Sequence, residues 1–284
     1  MVQNRPILDI FTHGVLILGV VLMAFPIWIT FVASTHDSAT LLSSSVPLWP
    51  GSHLIENYAT MLSEGMANPT TGSTPLSMML INTLIVALMI AIGKILVSFI
   101  AAAAIVYFNF KFKMVAFWLI FLTLMMPVET RILPTYKVVA DLGMLDTYTG
   151  LTLPIIASAT ATFLFRQFFM SVPWELAEAA RIDGAGPLRF MKDILFPLSR
   201  TNIAALFVIM FTFGWNQYLW PLLITTDTKY MTVMMGIQRL INVADTDPQW
   251  PLVMAAVIMA MLPPVLVVII MQRLFVKGLV EIEK

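Results

Sequence analysis

Six stretches of this chain stay apolar for longer than a soluble domain tolerates. They run at about residues 13–34, 78–106, 114–133, 151–169, 201–225 and 251–275. A helix rises about 1.5 Å per residue, so about 20 apolar residues cross the roughly 30 Å hydrocarbon core of a bilayer. Backbone groups find no water there, and helices satisfy them internally. The expectation is an all-α, polytopic transmembrane helical bundle of six spans, with residues 1–284 as one domain. Composition agrees. The 284 residues are 59% hydrophobic and 11% charged, against roughly 45–50% and 25% in soluble domains. Disorder needs the opposite balance, and a chain without cysteine is no disulfide scaffold. Sixteen basic and sixteen acidic residues cancel, leaving no global basic field to attract nucleic acid. The first apolar run is too long for the core of a signal peptide and reads as an uncleaved span.

The basic residues orient the bundle. With both termini cytoplasmic, eleven lie inside: Arg5, Lys111, Lys113, Arg166, Arg181, Arg189, Lys192, Arg200, Arg273, Lys277 and Lys284. Four lie outside, namely Arg131, Lys137, Lys229 and Arg239, and Lys94 falls within a span. Trp49, Trp118, Trp174, Trp220 and Trp250 stand near the ends of the runs, where aromatic belts form. The outer stretch at about 35–74 is rich in Gly, Pro, Ser and Thr, which marks loop. Residues 53–63 within it are a candidate short helix.

Residues 171–200 hold much of the sparse charge. Pro173 suits the first turn of a helix, and Glu175 suits its positive end. Leu, Ala, Glu and Arg then propagate it. Gly184 can take the left-handed conformation that ends a helix. Pro187 starts a second helix and Pro197 limits it. The result is a helix–turn–helix on the cytoplasmic side. One reading is a solvated linker. The other is a docking element, in which Ala177, Ala179 and Ala180 let a partner backbone approach and Glu178 finds a partner charge.

The order Glu178-Ala179-Ala180, three residues, Gly184, nine residues, then Ile194 and Pro197 resembles the EAA loop of importer-type ABC permeases. Phe196 stands where that family usually has Leu. The likeness extends along the chain through Thr123–Glu129, Gly150–Pro154, Ala157–Phe169, Trp215–Leu222 and Met271–Val280. The chain resembles the carbohydrate-uptake, maltose-permease-like branch of binding-protein-dependent importers, and within it the permeases for sn-glycerol-3-phosphate. The resemblance implies a type I ABC importer permease fold in a bacterial inner membrane. It also implies a homologous second permease, two copies of an ATPase that bind ATP and Mg, and an extracytoplasmic solute-binding protein. Glu178, Ala179, Ala180, Asp183, Gly184, Ile194 and Pro197 would then couple transport to the ATPase.

Ionisable groups within the bilayer are costly and carry a functional expectation. Lys94 lies midway along the second run, either paired with a neighbour or lining a path for an anionic solute. Glu129 and Arg131 sit between Pro127 and Pro134, where a broken helix end is acceptable against a cavity or protein. Arg131 would meet a phosphate with its planar fork, or hold the partner permease. Trp215, Asn216, Gln217 and Tyr218 precede Pro221 in the fifth run; they suit a polyol headgroup, or packing between helices. The stretch around Gly93-Lys94-Ile95 is no phosphate loop, since Leu88 occupies the first glycine position and Ile95 the Ser/Thr position. No cofactor is expected in the chain itself. Its three His residues lack metal-ligand spacing, and its 21 Met residues read as packing and lipid-facing side chains. A sugar importer of the same branch is the nearest alternative. An ion-coupled secondary transporter would place more ionisable groups along its path, and a membrane enzyme would need a nucleophile–base or metal constellation.

Overall fold

A computed structural model of the chain describes residues 6–43, 47–65, 67–68, 72–241 and 248–281. The chain packs as two compact units. One is Met1–Met78 with Gly236–Leu262, and the other is Met79–Met235 with Pro263–Lys284.

In the first unit, α1 (Pro6–Ala33) is followed by α2 (Ser38–Ser43) and α3 (Leu54–Ser63). The last of these occupies the expected helix in the polar stretch. A two-residue antiparallel pair, β1 (Ala67–Asn68) with β2 (Gly72–Ser73), is a small departure from an all-helical chain. The apolar side chains of α1 are exposed from Ile10 through Trp28, while Val32 and Ala33 are buried. Exposure of that kind suits lipid or another protein rather than water. Polar groups fasten the turn that follows α1. Asn57 Nδ2 donates to the carbonyls of Ser34 and His36, both at 2.9 Å, and Gly51 N donates to Thr35 Oγ1 at 2.7 Å.

The second unit is built on α4 (Leu76–Tyr107). One face of α4 carries Ala87, Ala91, Ile95, Phe99, Ala103 and Tyr107, close to a four-residue repeat, and packs on Phe165, Phe169 and Phe211. Phe99 meets Phe165 and Phe169 edge-on at 5.5 and 5.2 Å, a favoured aromatic geometry. Small residues on such a stripe let helices close up where the hydrophobic effect gives no help.

Helices α5 (Lys113–Leu122) and α6 (Val128–Asp141) follow, then α7 (Tyr148–Thr152) and α8 (Ala159–Ser171). Next come α9 (Trp174–Ile182), α10 (Pro187–Phe190), α11 (Phe196–Leu198), α12 (Arg200–Trp215) and α13 (Leu219–Ile224). Helices α14 (Val233–Ile241) and α15 (Trp250–Glu281) run from one unit into the other.

Among the described residues three helices are long and apolar enough to cross a membrane, over Ile10–Ala33, Leu76–Tyr107 and Trp250–Gln272. Three further candidates are bent pairs, and the expected third and fourth spans fall on two of them. The third bends by 108° between Lys113–Met125 and Thr130–Asp141, and the fourth by 50° between Tyr148–Ile155 and Ala159–Ser171. The last pair, Pro187–Leu198 with Arg200–Trp215, bends by 79° and starts within the stretch read as loop. Prolines explain much of this. Pro127 has no N–H to continue α5 and forces Met126 to an extended φ of −87° and ψ of 115°. Pro154 falls in the break between α7 and α8. Trp220 departs from the aromatic belt: it is buried, and its Nε1 donates to Gly150 O at 3.1 Å.

Candidate functional site

Lys94 is the nineteenth residue of a 32-residue helix, with only 7% of its surface exposed. Its Nζ lies 4.0 Å from the centroid of the Phe213 ring, a cation–π contact. Gly214, next to that ring, lies close against α4. A Cβ there would stand 3.0 Å from Ala87 Cα and 3.3 Å from Ala87 O, so a larger residue would push α12 off α4.

Helix α12 stops at Trp215. Pro221 has no N–H for the carbonyl of Gln217 and would crowd it in a continuous helix. Asn216, Gln217 and Tyr218 are therefore a non-helical break before α13. These three, with Lys94, Arg131 and Phe213, line a cavity of about 420 Å³. That size falls in the roughly 300–1,000 Å³ range of small-molecule sites. A second hollow of about 380 Å³ shares Lys94, Arg131 and Phe213, and adds Ser158, Ala159 and Thr160 at the start of α8. No carboxylate is among the described lining residues of either. Arg131 is exposed on α6 and lines both hollows with Lys94.

One expected path residue, Trp215, is not among the residues lining this cavity. Trp215 is 1% exposed and packs in the aromatic core, stacked on Phe211 at 5.7 Å. The side chain of Glu129 lies outside the described residues. Gln217 is partly engaged, its Nε2 donating to Phe213 O at 3.2 Å.

The loop at 171–200 forms a second candidate site. Pro173 sits at the N-cap, one residue before the expected position, and α9 starts at Trp174. Gly184 ends the turn with φ of +70°. Ala185 N donates to Ala180 O at 2.9 Å and Gly184 N to Arg181 O at 3.1 Å, the two bonds of a Schellman cap. Glu178, Ala179 and Asp183 are exposed on the outer face. Ala177 and Ala180, read as part of a docking surface, point inward instead, 5% and 4% exposed. They border a hollow of about 260 Å³ with Tyr107, Arg181 and Phe190. Tyr107 anchors this loop to α4: its ring meets Phe190 at 5.0 Å and stacks on Trp174 at 5.9 Å, and its hydroxyl donates to Phe169 O at 3.1 Å. Ile194 is half-buried in a π-helical turn, Met191–Leu195, and Pro197 is exposed beyond it. Having no N–H for Asp193 O, Pro197 accounts for the irregularity there.

The sequence pattern of the family described as binding-protein-dependent transport system inner membrane component matches residues 94–281. The chain belongs to that family. Its relatives are ABC transport components rather than enzymes. It is 56% identical, over the full length of both chains, to the sn-glycerol-3-phosphate transport system permease protein UgpE of Brucella melitensis. The protein of the same description from Agrobacterium fabrum is 57% identical, and that from Yersinia pestis 55%, again over both full lengths. The fold matches a chain from the crystal structure of a bacterial ABC transporter involved in the import of the acidic polysaccharide alginate. The TM-score is 0.81 at 19% identity, over 96% of this chain and 98% of that one.

Two polar nodes of this family member escape sequence reasoning. Asn82, buried in α4, donates to the carbonyls of Lys229 and Met231 at 2.8 and 3.0 Å, and accepts from the Tyr148 hydroxyl at 2.6 Å. A lone amide in an apolar run was the available signal. Asp146 is the other. Its Oδ1 accepts from the N–H groups of Thr226 and Asp227 at 2.6 and 2.9 Å, and its Oδ2 from the Thr226 hydroxyl at 2.6 Å. Burial works against its charged form, yet these hydrogen bonds outweigh it and hold the carboxyl below the usual carboxylate range. No local pattern announces that pairing across 80 residues.

Proposed function

We propose that this chain is one of two homologous permeases of an ATP-driven importer for sn-glycerol-3-phosphate. It would cross a bacterial inner membrane six times with both termini cytoplasmic. The loop at 171–200 would engage one of two ATPase copies, which bind ATP and Mg, and an extracytoplasmic binding protein would deliver the solute. The observation that carries the solute is the 56% identity to a named sn-glycerol-3-phosphate permease across the whole of both chains. Three long helices, with each of three bent pairs counted as one span, would give six crossings. Eleven basic residues against four, as counted above, favour cytoplasmic termini.

The cap at Gly184 and the anchor at Tyr107 make the loop a firm lever. ATP shifts a two-state equilibrium only by binding one state better, and such a lever passes that preference to the spans. Outer-face Glu178, Ala179 and Asp183 would meet the ATPase, while Ala180, Gly184, Ile194 and Pro197 shape the element that carries them. Deleting the gene in its host should abolish ATP-dependent uptake of radiolabelled sn-glycerol-3-phosphate, and a plasmid copy should restore it. Full uptake in the deletion strain, with other phosphate-ester carriers removed, would refute the solute assignment.

A further inference from the structure

We propose that Lys94, Arg131 and the first turn of α8 form a single subsite for the phosphate group of the solute, with Phe213 as the resting partner of Lys94. This rests on the importer reading above. A cation buried inside a span is expensive, and such groups ordinarily pair with an opposite charge. Lys94 instead rests on an aromatic face, and no carboxylate is among the described lining residues of its cavity. A second cation, Arg131, lines the same hollows, and an anion between two like charges would relieve their repulsion.

The start of α8 adds donors. The leading N–H groups of a helix lack intrahelical acceptors and carry partial positive charge. Ser158 Oγ takes the N–H of Ala161 at 3.2 Å, leaving those of Ala159 and Thr160, both on the cavity wall. A phosphate monoester bears about −1.5 to −2 charges near pH 7, which two unit cations match. Arg131 offers a planar fork and Lys94 a point charge. The break at 216–218 then offers amide and phenol groups to the glycerol hydroxyls.

The chain has no cysteine, so a single one can be placed at the subsite. The complete importer, with both permeases, ATPases and binding protein, would be reconstituted in phosphatidylcholine vesicles carrying Lys94→Cys. Uptake of sn-glycerol-3-phosphate should fall about tenfold, the scale of one charge-assisted hydrogen bond. A thiol reagent that attaches an aminoethyl group should restore most of it, whereas one that attaches a sulfonatoethyl group should not. A structural contact with the Phe213 ring would also favour the positive group, but it would not make labelling of the cysteine respond to soluble anions. Inorganic phosphate and sn-glycerol-3-phosphate should slow labelling of the cysteine, and glycerol should not; the cysteine-free parent chain reports labelling of the other subunits. Arg131→Gln should lower uptake similarly, and Arg131→Lys much less.

Uptake within twofold of the parent in Lys94→Cys and Arg131→Gln would overturn the subsite while leaving the importer reading intact. A parent complex that carries another solute but no sn-glycerol-3-phosphate would overturn that reading. Protection by inorganic phosphate would then still support an anion subsite, and no protection would remove it as well. Protection by added phosphatidylglycerol but by neither soluble anion would mean a lipid headgroup site and would also overturn the proposal.

Discussion

The loop at 171–200 and the cavity around Lys94 solve opposite problems. The loop keeps its charges outside: Glu178 and Asp183 are exposed, while Ala177, Ala180 and Phe190 turn back toward the Tyr107 anchor. The cavity keeps a charge inside, with Lys94 buried. Surface charges next to water cost little and are worth little. They suit a contact that must form and release with each cycle. A buried cation is expensive until an anion arrives, which suits transient, charge-selective occupancy. On the proposed reading the first region would transmit force and the second would discriminate, and changes in each should fail differently.

The sharpest way to break that division is at the turn. Gly184→Val places an L residue at φ of +70°, which costs about 1–2 kcal/mol. A Cβ there meets nothing within 4 Å, so the whole effect is conformational. Uptake should drop severely while ATP hydrolysis by the assembled complex continues, and Gly184→Asn should be tolerated better because Asn visits the left-handed region more readily. If Gly184→Val couples hydrolysis to uptake as the parent does, the loop is not a lever.

At the cavity a smaller change is expected. Phe213→Leu keeps apolar bulk and removes the ring face beneath Lys94, a contact worth about 0.5–2 kcal/mol. The free protein should lose a few degrees of Tm, a shift of the size expected for about 1 kcal/mol. Anion binding should tighten, because Lys94 no longer has to leave a partner, so KM for sn-glycerol-3-phosphate should fall while hydrolysis stays coupled. A rise in KM would show instead that the ring holds Lys94 in its binding position.

The same two regions differ in how far the sequence discloses them. The loop is written in adjacent residues. Its Pro173, Ala-rich helix, Gly184 and Pro187 are local signals with local consequences, and the structure follows them to within a residue or two. What sequence missed there is direction: a helix of nine residues cannot announce that Ala177 and Ala180 face inward. The cavity joins Lys94, Arg131 and Phe213 from three helices, and only their chemical type is visible in a linear reading. The apolar runs fixed the number of crossings expected but not their breaks. A hydropathy pattern counts side chains, whereas Pro127, Pro154 and Pro221 act through absent N–H groups. Trp215 shows the converse error. It adjoins the polar break in sequence, yet the helix turns it into the aromatic core.

The smallest effect tests a region that belongs to neither site. Asp146 ties the loop before α7 to the loop after α13, and its carboxyl is held below the ordinary 3.8. Asn is the clean substitution, because Asp146 has φ of +52° and Asn also accepts the left-handed region. The group is mostly solvated, so screening keeps the loss under about 1 kcal/mol. A depressed carboxyl contributes stability that is fully present above its unfolded value and disappears as pH falls through its lower folded value. The parent should therefore melt slightly above Asp146→Asn from neutral pH down to about 5, and the gap should close below about 4. Melting curves of the detergent-solubilised protein across that range measure it. A gap that persists undiminished at pH 3 would mean that the carboxylate charge contributes nothing and that Asp146 acts only through geometry. Uptake at neutral pH should barely change in either case, which would separate this clamp from both the lever and the anion cavity.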